Sequence, residues 1–317
     1  MKLAIQIPAW NEEACLGQTL DSLPSSIEGL EVISVQVIDD GSEDRTAEVA
    51  REHGARVVRL PVHRGLAVAF ATGLQAALDD GADIIVNTDA DGQYDPRDIA
   101  TLVAPILLGE AQMVIGDRQV DRLDRFSTTK KLLQRLGSWF VRKLSRTEVR
   151  DATSGFRAIS REAALKLHVF TRFTYTLETI LQAGEAGLRV ISVPIRSASE
   201  ESRPSRLFKS NLGYILRSLE ALARIVVLYN PLRIFLRIGA LPVAIGAVLL
   251  LRFLWFYLVG DNPAGHVQSL LLAVILVVVG VQIWVVGIVA DLIAVNRRLL
   301  EETVERTRDR RLSNNSP

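Results

Sequence analysis

Over the first 117 residues, short apolar, β-branched runs alternate with stretches of helical period. The runs lie at 3–7, 32–38, 56–60, 84–87 and 113–115, and helical patterns follow near 12–22, 44–53, 66–80 and 96–108. Strand–helix alternation of this kind predicts an α/β domain with a mainly parallel sheet and helices on both faces. In such a sheet, ligands bind beyond the carboxyl ends of the strands.

The pattern changes in the last third. Residues 269–290 run for 22 positions without a charge, and residues 238–259 form a second 22-residue apolar stretch interrupted by Pro242 and Arg252. At about 1.5 Å per residue, each spans a hydrocarbon core of roughly 30 Å. They predict two transmembrane helices, with buried core helices as the alternative. The connecting turn, GDNPAGH at 260–266, has no Lys or Arg. Arg217, Arg224, Arg233 and Arg237 precede the pair, and Arg297, Arg298, Arg306, Arg308, Arg310 and Arg311 follow it. The positive-inside bias puts both ends in the cytoplasm. The N-terminus, MKLAIQIPAWNEE, shows no signal-peptide pattern, so residues 1–230 are expected on the cytoplasmic face.

Two basic amphipathic stretches read as interfacial helices, with packing on the soluble domain as the alternative. One is 206–229, where Phe208, Leu212, Ile215, Leu219, Leu222 and Val226 recur every three to four residues. The other is 127–146, with Leu132, Leu133, Leu136, Trp139, Phe140 and Leu144 beside Lys130, Lys131, Arg135, Arg142 and Lys143. The expected organisation is a catalytic domain over 1–200, an interfacial region over 201–233, a membrane hairpin over 234–295 and a basic tail over 296–317. The polar residues 301–317 are expected to fray.

Composition sharpens this picture in two ways. Apolar residues make up 49% and charged residues 23%, which excludes a disordered chain. The single Cys15 excludes an internal disulfide framework and a cysteine-based metal cluster. The net charge of +1 suggests no strongly charged partner, but it hides an asymmetry. Residues 1–117 carry 7 Lys and Arg against 20 Asp and Glu, whereas residues 118–317 carry 30 against 16. An acidic part joined to a basic part calls for two separate explanations.

The acids cluster at predicted strand ends. After the first strand comes Pro8-Ala9-Trp10-Asn11-Glu12-Glu13. Asn11 suits a helix N-cap with acids in the first turn, and the Trp10 ring can stack on a base. The second strand ends in Asp39-Asp40-Gly41-Ser42. Gly41 permits a tight turn and Ser42 or Asp44 can cap the next helix. Two adjacent carboxylates exceed what a cap needs, and acids in this place hold bases or riboses. The fourth strand ends in Asn87-Thr88-Asp89-Ala90-Asp91-Gly92-Gln93. On an extended chain Asp89 and Asp91 point the same way. Two hard oxygens on one side suit Mg²⁺ or Mn²⁺, with Gln93 adding a carbonyl oxygen. There is no G-x-G-x-x-G and no G-x-x-x-x-G-K-[ST], which argues against a dinucleotide dehydrogenase and a P-loop enzyme.

IPAWNEE, VIDDGSEDRT and NTDADGQYDP, in that order and spacing, resemble the family 2 glycosyltransferases with the GT-A fold. DATSGFRA at 151–158 and TYTLE at 174–178 resemble the polyprenyl-phosphate sugar transferases, the dolichyl-phosphate mannose synthase group. The resemblance covers about residues 3–230, and the two-helix tail looks like that of bacterial members. It implies that Pro8, Ala9, Trp10 and Glu12 hold the nucleotide base, with Trp10 where the family usually has Tyr. It implies that Asp39 and Asp40 hold base and ribose, and that Asp89, Asp91 and Gln93 bind metal and diphosphate. Gly92-Gln93-Tyr94 stands where members often have Leu-Gln-His.

The reaction so implied inverts the sugar's anomeric carbon while a cation stabilises the departing diphosphate. An anionic lipid phosphate needs positive charge rather than a general base. Arg118 matches a family arginine, and Lys131 or Arg135 is the expected second clamp. Arg203, Ser205 and Arg206 lie where members have a loop that closes over the diphosphate. Asp151, Ser154 and Arg157 are expected to shape the acceptor side. The expected partners are a nucleotide sugar of GDP-mannose or UDP-glucose type, a polyprenyl phosphate, the bilayer and, as an allowed case, a second copy of the chain; no nucleic acid is expected. A hydroxyl acceptor is the alternative enzyme reading, although no Q-x-x-R-W-type motif follows residue 160. A non-catalytic, membrane-tethered nucleotide-sugar sensor is the alternative of another class. A nucleotidylyltransferase would need a Gly-rich, Lys-containing N-terminal loop that this chain lacks.

Overall fold

The computed structural model describes residues 1–119, 138–139, 141–143, 145–169, 175–196, 231–259 and 267–314. They form two compact units, one built on a sheet and one made of long helices.

The sheet has seven strands: β1 (Lys2–Ala9), β2 (Val32–Asp39), β3 (Arg56–Arg59), β4 (Ile84–Asn87), β5 (Met113–Asp117), β6 (Arg157–Ser160) and β7 (Val190–Pro194). Their order is β3-β2-β1-β4-β6-β5-β7. All neighbours pair in parallel except β6, which runs antiparallel between β4 and β5. The five predicted runs are β1 to β5. β6 and β7 are additions that the hydrophobic pattern did not show.

Burial explains the sequence pattern. Leu3, Ala4, Ile5 and Ile7 of β1 and every residue of β4 are buried, so these central strands read as largely apolar runs, broken by the buried Gln6 and ended by Asn87, rather than as polar–apolar alternation. Helices α1 (Leu16–Asp21), α2 (Thr46–Glu52), α3 (Leu66–Asp79) and α4 (Ile99–Leu107) follow the first four strands. Later come α5 (Arg161–Lys166) and α6 (Tyr175–Glu185). α3 lies very close to the sheet at Gly73. A Cβ there would stand 2.7 Å from both Gln6 Oε1 and Ile38 Cδ1, while the Gly73 carbonyl accepts from Gln36 Nε2 at 2.7 Å.

The second unit holds α7 (Pro231–Val259) and, as far as Val304, α8 (Val267–Asn314). Both are long and apolar enough to cross a membrane, over Pro231–Val259 and Val267–Asn296, and both are largely exposed rather than buried. Core helices would be covered, so the alternative of buried soluble helices loses its basis. Pro242 does not break α7. The expected fraying of 301–317 is corrected, because α8 continues as helix to Asn314.

The two helices meet along a seam of small residues at seven-residue spacing. Gly239 and Gly246 on α7 face Ala273, Gly280 and Gly287 on α8, and all five are buried. A Cβ on Gly239 would meet Trp284 at 2.6 Å, and one on Gly280 would meet the Gly239 carbonyl at 2.7 Å. Trp284 Nε1 donates to the Leu236 carbonyl at 3.0 Å. Small residues that let backbones approach are the usual basis of helix association in lipid. Gly280→Val is therefore expected to lower the detergent-solubilised unfolding midpoint, read by circular dichroism, at a cost of about 1–3 kcal/mol from overpacking. Val279→Leu, at a 41% exposed position one residue away, should leave that midpoint unchanged.

The amphipathic stretch 206–229 lies outside the described residues, as does most of 127–146. Of the latter, residues 138–139, 141–143 and 145 are helical. Trp139 is exposed with the Lys143 ammonium 5.3 Å from its ring, while Ser138, Val141 and Ser145 are buried.

Candidate active site

The carboxyl ends of β1, β2, β4 and β5 carry the predicted residues to one edge of the sheet. Ala9 at the end of β1 is in register with Asp39 at the end of β2, and Gln6 with Asn87 at the end of β4. Pro8 and Ala9 are buried, whereas Trp10 is 44% exposed.

The first two loops are laced together. Asn11 is left-handed, with φ +54°, a conformation that Asn tolerates better than most residues. Its amide donates to Ser42 Oγ at 3.0 Å and its Oδ1 accepts from Glu43 N at 2.9 Å. Glu12 N donates to Thr46 Oγ1 at 2.9 Å, and Glu13 Oε2 accepts from Arg45 N at 2.9 Å. The expectation that Asn11 caps a helix is corrected: α1 begins only at Leu16, and Asn11 serves the neighbouring loop instead. Asp44 does work at the start of α2, where its Oδ1 accepts from Thr46 N at 3.0 Å.

Asp39 and Asp40 are both buried but differ in use. Asp39 Oδ1 accepts from Ser42 N at 2.8 Å. Its Oδ2 lies 3.1 Å from Arg59 Nε, an ion pair whose alignment makes no hydrogen bond. Asp40 organises the third loop. Its Oδ1 accepts from Arg64 N and its Oδ2 from Gly65 N, each at 2.8 Å, and His63 Nδ1 stands 2.9 Å from Oδ2. The His63 ring stacks on Trp10 with centroids 4.1 Å apart. Sequence reasoning missed His63. The available signal was His63-Arg64-Gly65 placed directly before α3, at the end of a third parallel strand.

The D-x-D segment is a turn. β4 ends at Asn87, Ala90 and Asp91 lie in the turn, and Gly92 has φ +71°. The extended-chain argument for their common direction is thereby corrected, yet the two carboxylates are still coupled. Burial, then the Asp91 charge, pushes Asp89 up to about 7, against the pull of Arg118 and Arg157. Burial also raises Asp91, against hydrogen bonds from Gln93. Gln93 donates from its backbone to Asp91 Oδ1 at 3.1 Å and from Nε2 to Oδ2 at 2.7 Å. It therefore holds Asp91 with its amide nitrogen, leaving its oxygen as the end that can turn to a cation. Two half-buried carboxylates that repel each other form a hard-oxygen donor set suited to Mg²⁺ or Mn²⁺. Among the described residues, no group of three or more His, Cys, Asp and Glu is placed to hold a metal, so the remaining positions would fall to a ligand and water.

Behind Asp89 stands a buried polar wall that sequence reasoning did not resolve. The Gly155 amide donates to Tyr94 Oη at 3.0 Å, and its carbonyl accepts from Asn87 Nδ2 at 2.9 Å. Asn87 Nδ2 also reaches Tyr175 Oη at 3.1 Å. A Cβ on Gly155 would stand 3.2 Å from Asp89 Oδ1 and 3.0 Å from Tyr175 Oη, so the carboxylate rests directly on this glycine. Burial, then the Asp89 charge, pushes Tyr94 up to about 12 and raises Tyr175 as well, so both hydroxyls stay protonated. Arg157, fully buried, braces the wall. It donates to Thr179 Oγ1 at 2.7 Å, to the Thr176 carbonyl at 3.2 Å and to the Ser154 carbonyl, and lies 5.3 Å over the Tyr175 ring.

Arg118 follows β5. Its Nε donates to Asp151 Oδ2 at 2.7 Å, and its Nη2 donates to Asp151 Oδ1 at 3.1 Å and to Thr153 Oγ1 at 2.9 Å. Burial alone would raise Asp151, but the Arg118 charge and its hydrogen bonds outweigh it and hold the carboxyl below its usual range. Ser154 and Arg157, expected to shape the acceptor side together with Asp151, stand in the wall behind Asp89. Lys131, Arg135, Arg203, Ser205 and Arg206 lie outside the described residues.

With this geometry in place, comparison with known proteins is decisive for the family. The sequence model of glycosyl transferase family 2 matches residues 4–167. The chain belongs to that family. An uncharacterised protein of Methanocaldococcus jannaschii is 35% identical over 65% of this chain and 85% of its own length. The undecaprenyl-phosphate mannosyltransferase of Micrococcus luteus is 26% identical over 67% of this chain and 90% of its own. Among solved structures, glucosyl-3-phosphoglycerate synthase from Mycobacterium tuberculosis in complex with Mn²⁺, UDP and phosphoglyceric acid has a TM-score of 0.55 at 26% identity. That match covers 70% of this chain and 78% of the synthase. The family 2 chain thus has the GT-A fold, followed by two candidate membrane helices, and is a glycosyltransferase.

Proposed function

We propose that this family 2 enzyme transfers one sugar from a nucleotide sugar to a polyprenyl phosphate, with inversion, on the cytoplasmic face of a membrane. The observation that carries the reading is one cluster holding both signs of charge. Asp89, paired with Asp91, lies in the field of Arg118, which is itself oriented by Asp151. The first feature suits a donor diphosphate and the second an acceptor phosphate. The exposed apolar hairpin supports a lipid acceptor, as does the similarity to an undecaprenyl-phosphate enzyme. Glucosyl-3-phosphoglycerate synthase, crystallised with Mn²⁺ and UDP, supports the donor half. The organisation into a catalytic domain over 1–200, an interfacial region over 201–233, the hairpin and a basic tail is part of the proposal.

The roles follow from the chemistry. Trp10 offers a stacking face to the base, within a cradle of Pro8, Ala9 and Glu12. The buried Asp39 Oδ2 accepts from the base or ribose, and Asp40 fixes the loops around it. Asp89, Asp91 and Gln93 are the residues that would hold Mg²⁺ or Mn²⁺. What such an ion supplies is neutralisation of charge on the departing diphosphate. The acceptor phosphate is already anionic near neutral pH, so no general base is needed. Arg118 spends Nε and Nη2 on Asp151 and Thr153, which leaves Nη1 to meet that phosphate. Lys131 and Arg135 are proposed as its further clamps, and Arg203, Ser205 and Arg206 as contacts to the diphosphate. Attack from the face opposite the leaving group inverts the anomeric carbon.

The test uses purified enzyme in vesicles with radiolabelled UDP- and GDP-sugars and undecaprenyl or dolichyl phosphate. A solvent-extractable labelled lipid is expected with Mg²⁺ or Mn²⁺ and not with EDTA. Transfer only to phosphoglycerate or another water-soluble acceptor would overturn the lipid assignment.

A further inference from the structure

We infer that His63, to which nothing in the family match gives a role, is a positioning residue for the donor base, acting through Trp10. The inference rests on the donor reading above. An indole that is 44% exposed on a loop ordinarily samples several rotamers, and binding must then bear the entropy of fixing one. Here the indole is already held. Its centroid lies 4.1 Å from that of the His63 ring, with 25° between the planes. His63 is held in turn. Its Nδ1 is 2.9 Å from Asp40 Oδ2, and that carboxylate is buried and tied to the amides of Arg64 and Gly65. Its backbone is fixed as well. Gly41, at φ +69°, passes so close that a Cβ there would stand 2.6 Å from His63 N. Three strand-end loops therefore converge on one imidazole, whose free contact is the Trp10 ring. One indole face is spent on His63 and the remaining exposure offers the other to a ligand. The ligand class is a nucleoside diphosphate recognised by its planar base, because stacking is what a fixed indole provides.

The experiment measures binding of UDP, GDP and inorganic pyrophosphate, each with Mn²⁺, to the full-length protein by calorimetry. His63→Ala should weaken the nucleotide that the wild type binds by roughly 3- to 10-fold, the range of a lost aromatic pair. Pyrophosphate, which has no base, should bind unchanged. His63→Phe should recover most of the nucleotide binding, because it keeps the ring stacked on Trp10 while losing only the bond to Asp40. His63→Gln, which keeps a polar partner for Asp40 but no ring, should not. In a Trp10→Ala background, His63→Ala should have no further effect. Wild-type affinity for the nucleotide in His63→Ala overturns the inference, as does an equal loss of pyrophosphate or rescue by Gln but not Phe. Wild-type protein that binds pyrophosphate but neither nucleotide overturns the donor reading itself.

Discussion

Asp89→Asn is expected to reduce sugar transfer by roughly 10³-fold while leaving the fold intact. The amide keeps the shape of the carboxylate that rests against Gly155. It removes one of the two charges that would hold the cation. The same substitution has a second, separable signature. In a chelated sample, the Asp89 carboxyl is raised from its ordinary 3.8 to about 7, first by burial and then by Asp91. The native state therefore binds this proton more tightly than the unfolded chain. For an acid shifted upward, stability falls as pH rises between the two values and levels off above the higher one. The wild type should lose stability between about pH 4 and pH 7 in EDTA, and Asp89→Asn should show a flatter profile. Adding Mn²⁺ at pH 7.5 should raise the wild-type melting temperature and not that of the variant, since a ligand stabilises only the state that binds it. Transfer rates within tenfold of wild type, or equal stabilisation by Mn²⁺, would remove Asp89 from the metal site.

What the chain disclosed in advance followed from how each element is buried. β1 and β4 are buried on both faces and β2 over its second half, so they stand out as apolar, β-branched runs interrupted only by Gln6, Ser34 and Gln36, and the acids after them mark their carboxyl ends. β6 stayed hidden because its four residues begin with Arg157, a charge that no pattern rule places inside a sheet. The two terminal nitrogens of Arg157 are bonded there to Thr179 and to the Ser154 and Thr176 carbonyls. The site was legible in the same graded way. Asp39, Asp89 and Asp91 announce themselves by type and position. Gly155, Tyr94 and Tyr175 do not, since their roles depend on contacts across 61 and 88 positions of sequence. Asn11 misled because its local pattern suits a cap, and the lacing to Ser42 and Glu43 that prevails is invisible without the second loop. The acids at the strand ends gather into one site, and the first described arginine beyond them, Arg118, faces it.

Arg118→Met is expected to destabilise the sheet-bearing unit by about 3 kcal/mol, because it removes the charge that pairs with a buried carboxylate. Asp151 is 2% exposed and Arg118 19%, and two parallel hydrogen bonds join them. The pair itself need not favour the fold over an apolar replacement; breaking one half is what is expensive. Arg118→Met together with Asp151→Leu should therefore recover most of the lost stability in urea unfolding. Transfer should not recover in the double variant, because no guanidinium remains to meet an acceptor phosphate. This separates the structural use of the pair from its chemical use, which single variants confound. The pH dependence has a definite sign. Asp151 is held below its ordinary 3.8, so its contribution is present above that value and is lost as pH falls through the lower one. The gap in stability between wild type and Asp151→Asn should accordingly be full at pH 7 and close only in strong acid. If the double variant stays as unstable as Arg118→Met, the cost lies in lost packing around Thr153. If it regains transfer, the acceptor phosphate is held by other residues, and Arg118 serves only to neutralise Asp151.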